Sequence, residues 1–314
     1  MSSVAQPDGR EASRGLLPWI SLVIVWLVWG STFLGIRVAV QSIPPLLMTG
    51  SRYMVAGALL CAFAWVTQRG RRITMSRREL KTVLITAVLL LVVGNGLLSI
   101  AEIHLQSGTA ALLVATVPLW MIVADAVLAR KLQAASAAGI VLGTAGVIAL
   151  AGAPSAHESP ISAGMVLFGA LSWAVGSVYA RRNSNGHSGA FAIGVEMFAA
   201  GTIMCAIGAL TGEVAQLHAV PAVAVAAWLW LVIAGATIAY SAYSYAVRTL
   251  PTNIVATYAY VNPVVAVLLG AALLREPITL NIILGGAAIV MSVVAIVAGN
   301  RPAVSQTAQV QEAA

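Results

Sequence analysis

The sequence predicts an all-α integral membrane protein, with ten transmembrane helices arranged as two inverted-topology five-helix repeats. Three observations carry this. Of 314 residues, 60% are hydrophobic and 9% charged, against about 25% charged in an average soluble domain, and the mean hydropathy is +0.93. The apolar residues fall into runs of roughly 17–25 residues, the length that crosses a bilayer as a helix. The stretch Gly50–Ala62, GSRYMVAGALLCA, returns 144 residues later as Gly194–Ala206, GVEMFAAGTIMCA. Helices are required, because lipid offers backbone groups no partners and no ten-residue alternation suggests a barrel.

Residues 1–15 form a polar tail carrying Arg10 and Arg14. The first run, 16–36, exceeds the roughly 7–15-residue apolar core of a signal peptide, so it is read as a helix. The second, 45–66, carries Arg52; the third, 83–103, holds Gly94, Asn95 and Gly96 and ends on Glu102. The fourth, 109–128, contains Pro118, Trp120 and Asp125, the last read as an interfacial charge; the fifth, 136–152, contains the GxxxG of Gly139 and Gly143. That spacing suits close helix packing or a dimer. These five form a first repeat over 16–152. A linker, 153–161, leads to a second repeat over 162–298 with runs at 162–180, 190–211, 223–246, 254–273 and 279–298, followed by a tail at 299–314. Trp173, Glu196, the Tyr240–Tyr243 pair and Pro263 fall in the sixth to ninth runs.

Loop charge sets the orientation. Fourteen basic residues, among them Arg69, Arg71, Arg72, Arg77, Arg78, Lys81, Arg130, Lys131, Arg182 and Arg248, fall on one side, and only Arg37 and Arg275 on the other. Positive charge holds loops in the cytoplasm, so both termini are placed there. The net charge of +7 is therefore topological and no sign of nucleic-acid binding. Five helices per half is odd, so the second half enters the membrane upside down. Further matches keep the same order: Trp29 with Trp173, Arg37 with Arg181, and Pro118 with Pro263. Inverted repeats that rock about a site near the bilayer midplane are a common design of secondary transporters.

WGSTFLGIR at Trp29–Arg37, SGTAALLVATVPLW at Ser107–Trp120 and TYAYVNPVVAVLLGAALLREPI at Thr257–Ile278 resemble the EamA-type drug/metabolite transporter superfamily. The GNG at Gly94–Gly96 and SWAVGSVYARR at Ser172–Arg182 look closest to its YedA-like exporters. The resemblance spans the first to the last helix. It implies ten helices in two repeats, an inner-membrane location and efflux of small metabolites, amino acids or drug-like compounds. One departure is visible: Glu276 fits the family's acidic position after the ninth helix, whereas Lys131 stands at the matching place after the fourth.

A charge inside a membrane helix costs at least about 2.5–3.5 kcal/mol on insertion scales and is kept for a partner or a task. Arg52 is read either as a cation facing a central cavity, paired with Glu196 or with an anionic substrate, or as half of a structural ion pair. Glu196 is the candidate for a coupling proton if Arg52 is not its partner. Asn95 and Glu102 are placed on the pathway, Glu102 at the outer mouth. Trp29, Trp173, Trp120, Tyr240, Tyr258 and Asn262 join them as large or polar side chains deep in helices. Buried Trp and Tyr suit a cavity for amphipathic compounds and equally suit packing. Pro118 and Pro263 are candidate gate hinges, since each removes a backbone hydrogen bond from its helix. Trp19, Trp65, Trp228 and Trp230 lie near helix ends, as headgroup-belt residues do. Cys61 and Cys205 are packing residues, with no disulfide framework or metal spacing.

The four histidines, His104, His157, His187 and His218, have no catalytic partners at motif spacing, so an intramembrane enzyme lacks its machinery. No nucleotide-binding loop or cofactor motif is present. The rival readings are a passive channel or uniport facilitator and a non-transporting scaffold. The expected partners are a small-molecule substrate and the lipid bilayer, in a monomer or homodimer.

Overall fold

Helix boundaries follow the breakers in the chain. The computed structural model describes residues 16–67, 75–121, 123, 134–151, 159–183, 189–250, 252–255 and 257–299, and those residues contain helices and no strand. The two tails, Arg69, Arg71, Arg72, Asp125, Arg130, Lys131, His157 and His187 lie outside them. Helix α1 spans Leu16–Val40 and α2 Pro45–Thr67. Proline suits the first turn of α2, where its missing N–H would have had no intrahelical acceptor. Helix α3 covers Arg77–Thr86, Ala87–Asn95 and Gly96–Ala101 in one continuous rod. A capping box starts it: Ser76 Oγ accepts from the Glu79 N–H at 3.2 Å, and Glu79 Oε2 accepts from the Ser76 N–H at 2.8 Å.

Helix α4 runs Ser107–Val114, breaks at 115–116 and resumes over 117–121. Pro118 has no N–H for the Val114 carbonyl, so the ladder cannot continue through that point. Helices α5 (Ala134–Ala151), α6 (Pro160–Asn183) and α7 (Ala190–Leu210) follow. Gly212, at φ 85°, turns the chain after α7 into the short 3-10 helix Glu213–Gln216. Helix α8 joins Ala222–Trp230, Leu231–Ile238 and Ala239–Thr249. Helix α9 has a short piece, Thr252–Val255, and a long one, Tyr258–Leu274, with Pro263 inside. Helix α10 is Leu280–Gly299.

Six of these helices, α1, α2, α3, α6, α7 and α8, are long and apolar enough to cross a membrane, and shorter apolar stretches lie in α4, α9 and α10. The sequence expects more. The shortfall arises where α4 is interrupted at 115–116, where the end of its run falls outside the described residues, and where some side chains of α5 and α10 do so. The two prolines sit differently in their helices: the break in α4 falls just before Pro118, whereas Pro263 lies inside the continuous helix Tyr258–Leu274.

Two segments are π-helical, Ala87–Asn95 in α3 and Leu231–Ile238 in α8. They begin 144 residues apart, the same offset that relates the two halves. Each receives a side-chain hydrogen bond on a carbonyl from the helix crossing it: Ser172 donates to Leu89 at 2.8 Å and the Trp29 indole donates to Gly235 at 3.2 Å.

Packing between the halves is reciprocal. Helices α2 and α7 lie against each other, as do α5 and α10; α1 packs on α8 and α9, and α6 on α3 and α4. Helices α2 and α7 are antiparallel: Gly50 faces Cys205, Gly57 faces Phe198, and Cys61 faces Gly194. A Cβ on Gly57 would meet the Gly194 carbonyl at 2.6 Å, and one on Gly201 the Gly50 carbonyl at 2.5 Å. The repeat mates thus make mirror-image contacts. The close-packing reading of the GxxxG also holds at Gly143, where a Cβ would strike Leu119 and Ser292.

One end of the molecule is tied by charged side chains of the second half. Glu276 accepts from the Ser107 N–H (2.9 Å), the Ser107 hydroxyl (2.8 Å) and the Gly108 N–H (3.4 Å), at the start of α4. Glu213 accepts from the Leu46 and Leu47 N–H groups at 3.2 and 2.9 Å, at the start of α2. A carboxylate at a helix N-terminus satisfies orphan donors and complements the helix dipole. Arg275, in a left-handed conformation at φ 57°, ends α9 ahead of Glu276. Gly270 leaves room for it, since a Cβ there would run into the Glu276 carboxylate. Glu276→Ala is expected to cost about 0.5–2 kcal/mol, the usual loss of an N-cap. Amide hydrogen exchange at Ser107 and Gly108 should quicken, while Leu46 and Leu47 keep wild-type protection.

Candidate functional site

A cavity of about 170 Å³ opens between α1–α4 and α6–α9. An engineered apolar cavity of about 150 Å³ accepts a benzene ring, so this one has the scale of a small metabolite. Most of its wall is apolar, from Phe33, Leu91, Val114, Val166, Met197 and Leu231 among others. Polar atoms enter at two places.

Arg52 supplies the first. Its side chain is 4% exposed and lines the cavity. One guanidinium nitrogen, Nη2, donates to the Tyr53 hydroxyl at 3.2 Å and to Asn95 Oδ1 at 3.3 Å. The guanidinium carbon lies 4.6 Å from the centre of the Tyr53 ring. Its Nε has no partner. Both of the groups it bonds are neutral, so a cation stands at the cavity wall with its charge uncompensated by a direct contact. Asn95 belongs to the π segment of α3, whose wider turn sets it beside Gly94 on the cavity wall. π-bulges are frequent at functional sites.

The second is an aromatic wall. Trp29 contacts Tyr240, Tyr243 and Tyr258 with ring centroids 6.1, 5.0 and 5.4 Å apart. Tyr243 lies 5.8 Å from Tyr258 with the rings nearly perpendicular, the edge-to-face geometry that aromatic pairs favour. Asn262, 8% exposed, lines the cavity below it. With its amide nitrogen turned to the available acceptors, it donates to the Tyr258 carbonyl at 3.2 Å and the Trp26 carbonyl at 3.1 Å. The neighbouring Thr257 accepts from the Trp26 indole at 3.2 Å.

The structure thus brings together Arg52, Asn95, Trp29, Trp173, Tyr240, Tyr258, Asn262, Pro118 and Pro263 around one cavity. Three expected pathway residues are not on its wall. Trp120 packs with Val117, Ala170, Ala174 and Trp173, and its indole N–H has no partner. Glu102 is 0% exposed. Glu196 is partly exposed on α7, one residue from the lining Met197, with one carboxyl oxygen unbonded. It does not pair with Arg52. The helix spacing put both charges at equivalent depth, but the Glu196 carboxyl bonds the Thr86 side chain on α3, whereas Arg52 reaches the cavity wall. Tyr53 was missed: it is an ordinary apolar-run tyrosine by sequence, and only adjacency to Arg52 hinted at its role. Trp228 and Trp230, expected as belt residues, instead donate to Ser51 and Ser31 at 3.0 Å each, tying α8 to α2 and α1.

Comparison with known proteins agrees with this architecture. A family model described as the EamA-like transporter family matches residues 17–152 and again 161–298. The chain is 39% identical over 269 residues to the inner membrane transporter YedA of Escherichia coli (strain K12), covering 85% of this chain and 86% of that protein. It is 23% identical over 279 residues to the transporter YvbV of Bacillus subtilis (strain 168), covering 87% and 88%. A protein of known crystal structure superposes with a TM-score of 0.61, covering 94% of this chain and 100% of that one at 18% identity. At that identity the likeness concerns the fold alone.

Proposed function

Because the chain belongs to the EamA-like transporter family, we propose that it is a secondary transporter of the inner membrane that exports small metabolites by alternating access to the central cavity. The observation that carries the substrate class is the uncompensated guanidinium of Arg52 on an otherwise apolar and aromatic wall. In a low-dielectric site such a cation attracts an opposite charge strongly. The preferred cargo is a small molecule with one anionic group, a carboxylate above all, on an apolar or aromatic body. The anionic group meets Arg52 and the body lies against Trp29, Tyr240 and Tyr258.

The same reading takes the chain as ten transmembrane helices in two inverted repeats, 16–152 and 162–298, with both termini in the cytoplasm. The antiparallel, reciprocal contacts of α2 with α7 and of α5 with α10 support the inversion. The basic loops support the orientation. On this placement the end tied by Glu276 and Glu213 faces away from the cytoplasm.

The test is export from proteoliposomes. Radiolabelled aromatic and aliphatic amino acids, and the corresponding amines lacking the carboxylate, are loaded one at a time. Saturable efflux of carboxylate-bearing solutes is expected, with the amines moved at least tenfold more slowly. Equal movement of both sets would end the anionic-cargo reading, and flux of neither above protein-free vesicles would end it for this panel of solutes.

A further inference from the structure

We propose that Glu102 is a proton-binding site, and that loading it closes the end of the protein where α1, α3, α4 and the α9–α10 turn meet. This rests on the alternating-access reading above. Glu102 lies one residue past the span Arg77–Ala101. It is 0% exposed, and neither carboxyl oxygen has a hydrogen-bond partner. Nearby donors are engaged with other acceptors. Arg37, on α1, gives Nη1 to the main-chain carbonyls of Glu102 and, at 2.7 Å, Ile103. Ser107 and Gly108 give their N–H groups, and Ser107 its hydroxyl, to Glu276.

An ionised carboxylate in such a place has lost its water and gained no donor, which is among the costliest arrangements in a protein interior. The neutral acid is the form that fits. Three charged groups act on it: Arg37 from α1, Arg52 from α2 and Glu276 from the turn before α10. Burial, opposed by the weaker pull of Arg37, holds the carboxyl well above the usual carboxylate range, and Glu276 pushes the same way.

Opening this end requires Glu276 to leave Ser107 and Arg37 to leave its two carbonyls. Water then reaches Glu102, the proton passes to the solution on that side, and the freed guanidinium can face the carboxylate. Closing reverses each step and takes up one proton. The closed state binds the extra proton, so acid favours closure and alkali favours opening, by up to about tenfold per pH unit for a single linked proton.

The test is a pair distance measured by electron spin resonance on the full chain in lipid nanodiscs. Spin labels are attached at His104→Cys and Leu280→Cys, both exposed sites, in a Cys61→Ala/Cys205→Ala background. Replacing His104 also removes a second titratable group. The otherwise native chain should show a short distance at pH 5 and gain a longer one as the pH is raised to 8. Glu102→Gln, which mimics the protonated acid, should stay short throughout. A distance that ignores pH in the chain with Glu102 intact overturns the proposal, and that titration needs no further variant. So does a Glu102→Gln chain that still responds to pH or is long at every pH. Glu276→Ala is the open reference. If it too never lengthens the distance, the alternating-access reading fails along with this one.

Discussion

Arg52→Ala is expected to abolish most transport while leaving the protein in the membrane. A hydrogen bond to a charged group is worth about 1.5–3 kcal/mol, roughly ten- to hundredfold in carboxylate recognition. Arg77→Ala, an exposed change at the start of α3, is expected to leave flux unaltered at matched abundance. Arg52→Lys should rescue only partly. The Tyr53 and Asn95 bonds both use one nitrogen of a planar fork, leaving other donors for the cargo, and a lysine offers no such geometry. Initial efflux rates of the three variants decide the matter; parity between Arg52→Ala and Arg77→Ala would remove the guanidinium from the substrate path. Exchanging the charges of Arg52 and Glu196 should restore nothing, because the two side chains are not partners.

The second large effect concerns the α2–α7 crossing. Gly57→Ala and Gly201→Ala each thrust a methyl group to within 2.6 and 2.5 Å of backbone atoms on the facing helix. No rotamer change relieves a clash with backbone, so the helices must separate. Overpacking of this kind typically costs 1–3 kcal/mol and occasionally more, and the mirror-image contacts predict closely similar losses for the two mates. Gly164→Ala, where a Cβ meets nothing within 4 Å, is the control. Unfolding in denaturing detergent should rank Gly164→Ala as wild-type and the other two as equally impaired. A difference of several kcal/mol between Gly57→Ala and Gly201→Ala would contradict the reciprocity.

Much of the architecture was legible because membrane helices are written in long apolar runs and the halves kept a common offset. Gly50 with Gly194 and Cys61 with Cys205 marked the helix pair that the structure places in contact. Arg52 stood out because a charge in an apolar run needs a reason. What could not be read was anything decided by helix rotation or by carboxylates reaching across the chain. Glu196 sits at a matched depth yet bonds Thr86 and not Arg52, and a run that is apolar on every face gives no clue to its rotation. The π segments carry no distinguishing composition, since one contains Gly94 and Asn95 and the other neither an Asn nor a glycine in the same register. Glu276 was noticed as a family position. That it caps α4 across the chain depends on the left-handed turn at Arg275 and the bare flank of Gly270, both invisible without the fold.

The glycine-lined crossing also limits how the molecule can move. Where two backbones touch with no side chain between them, there is nothing to compress and little to slide. In the alternating-access cycle proposed above, this contact is the expected fulcrum, with α2 and α7 as levers that tilt about it. Spreading the arms at one end would then draw them together at the other, so that passages on the two faces are not wide at once.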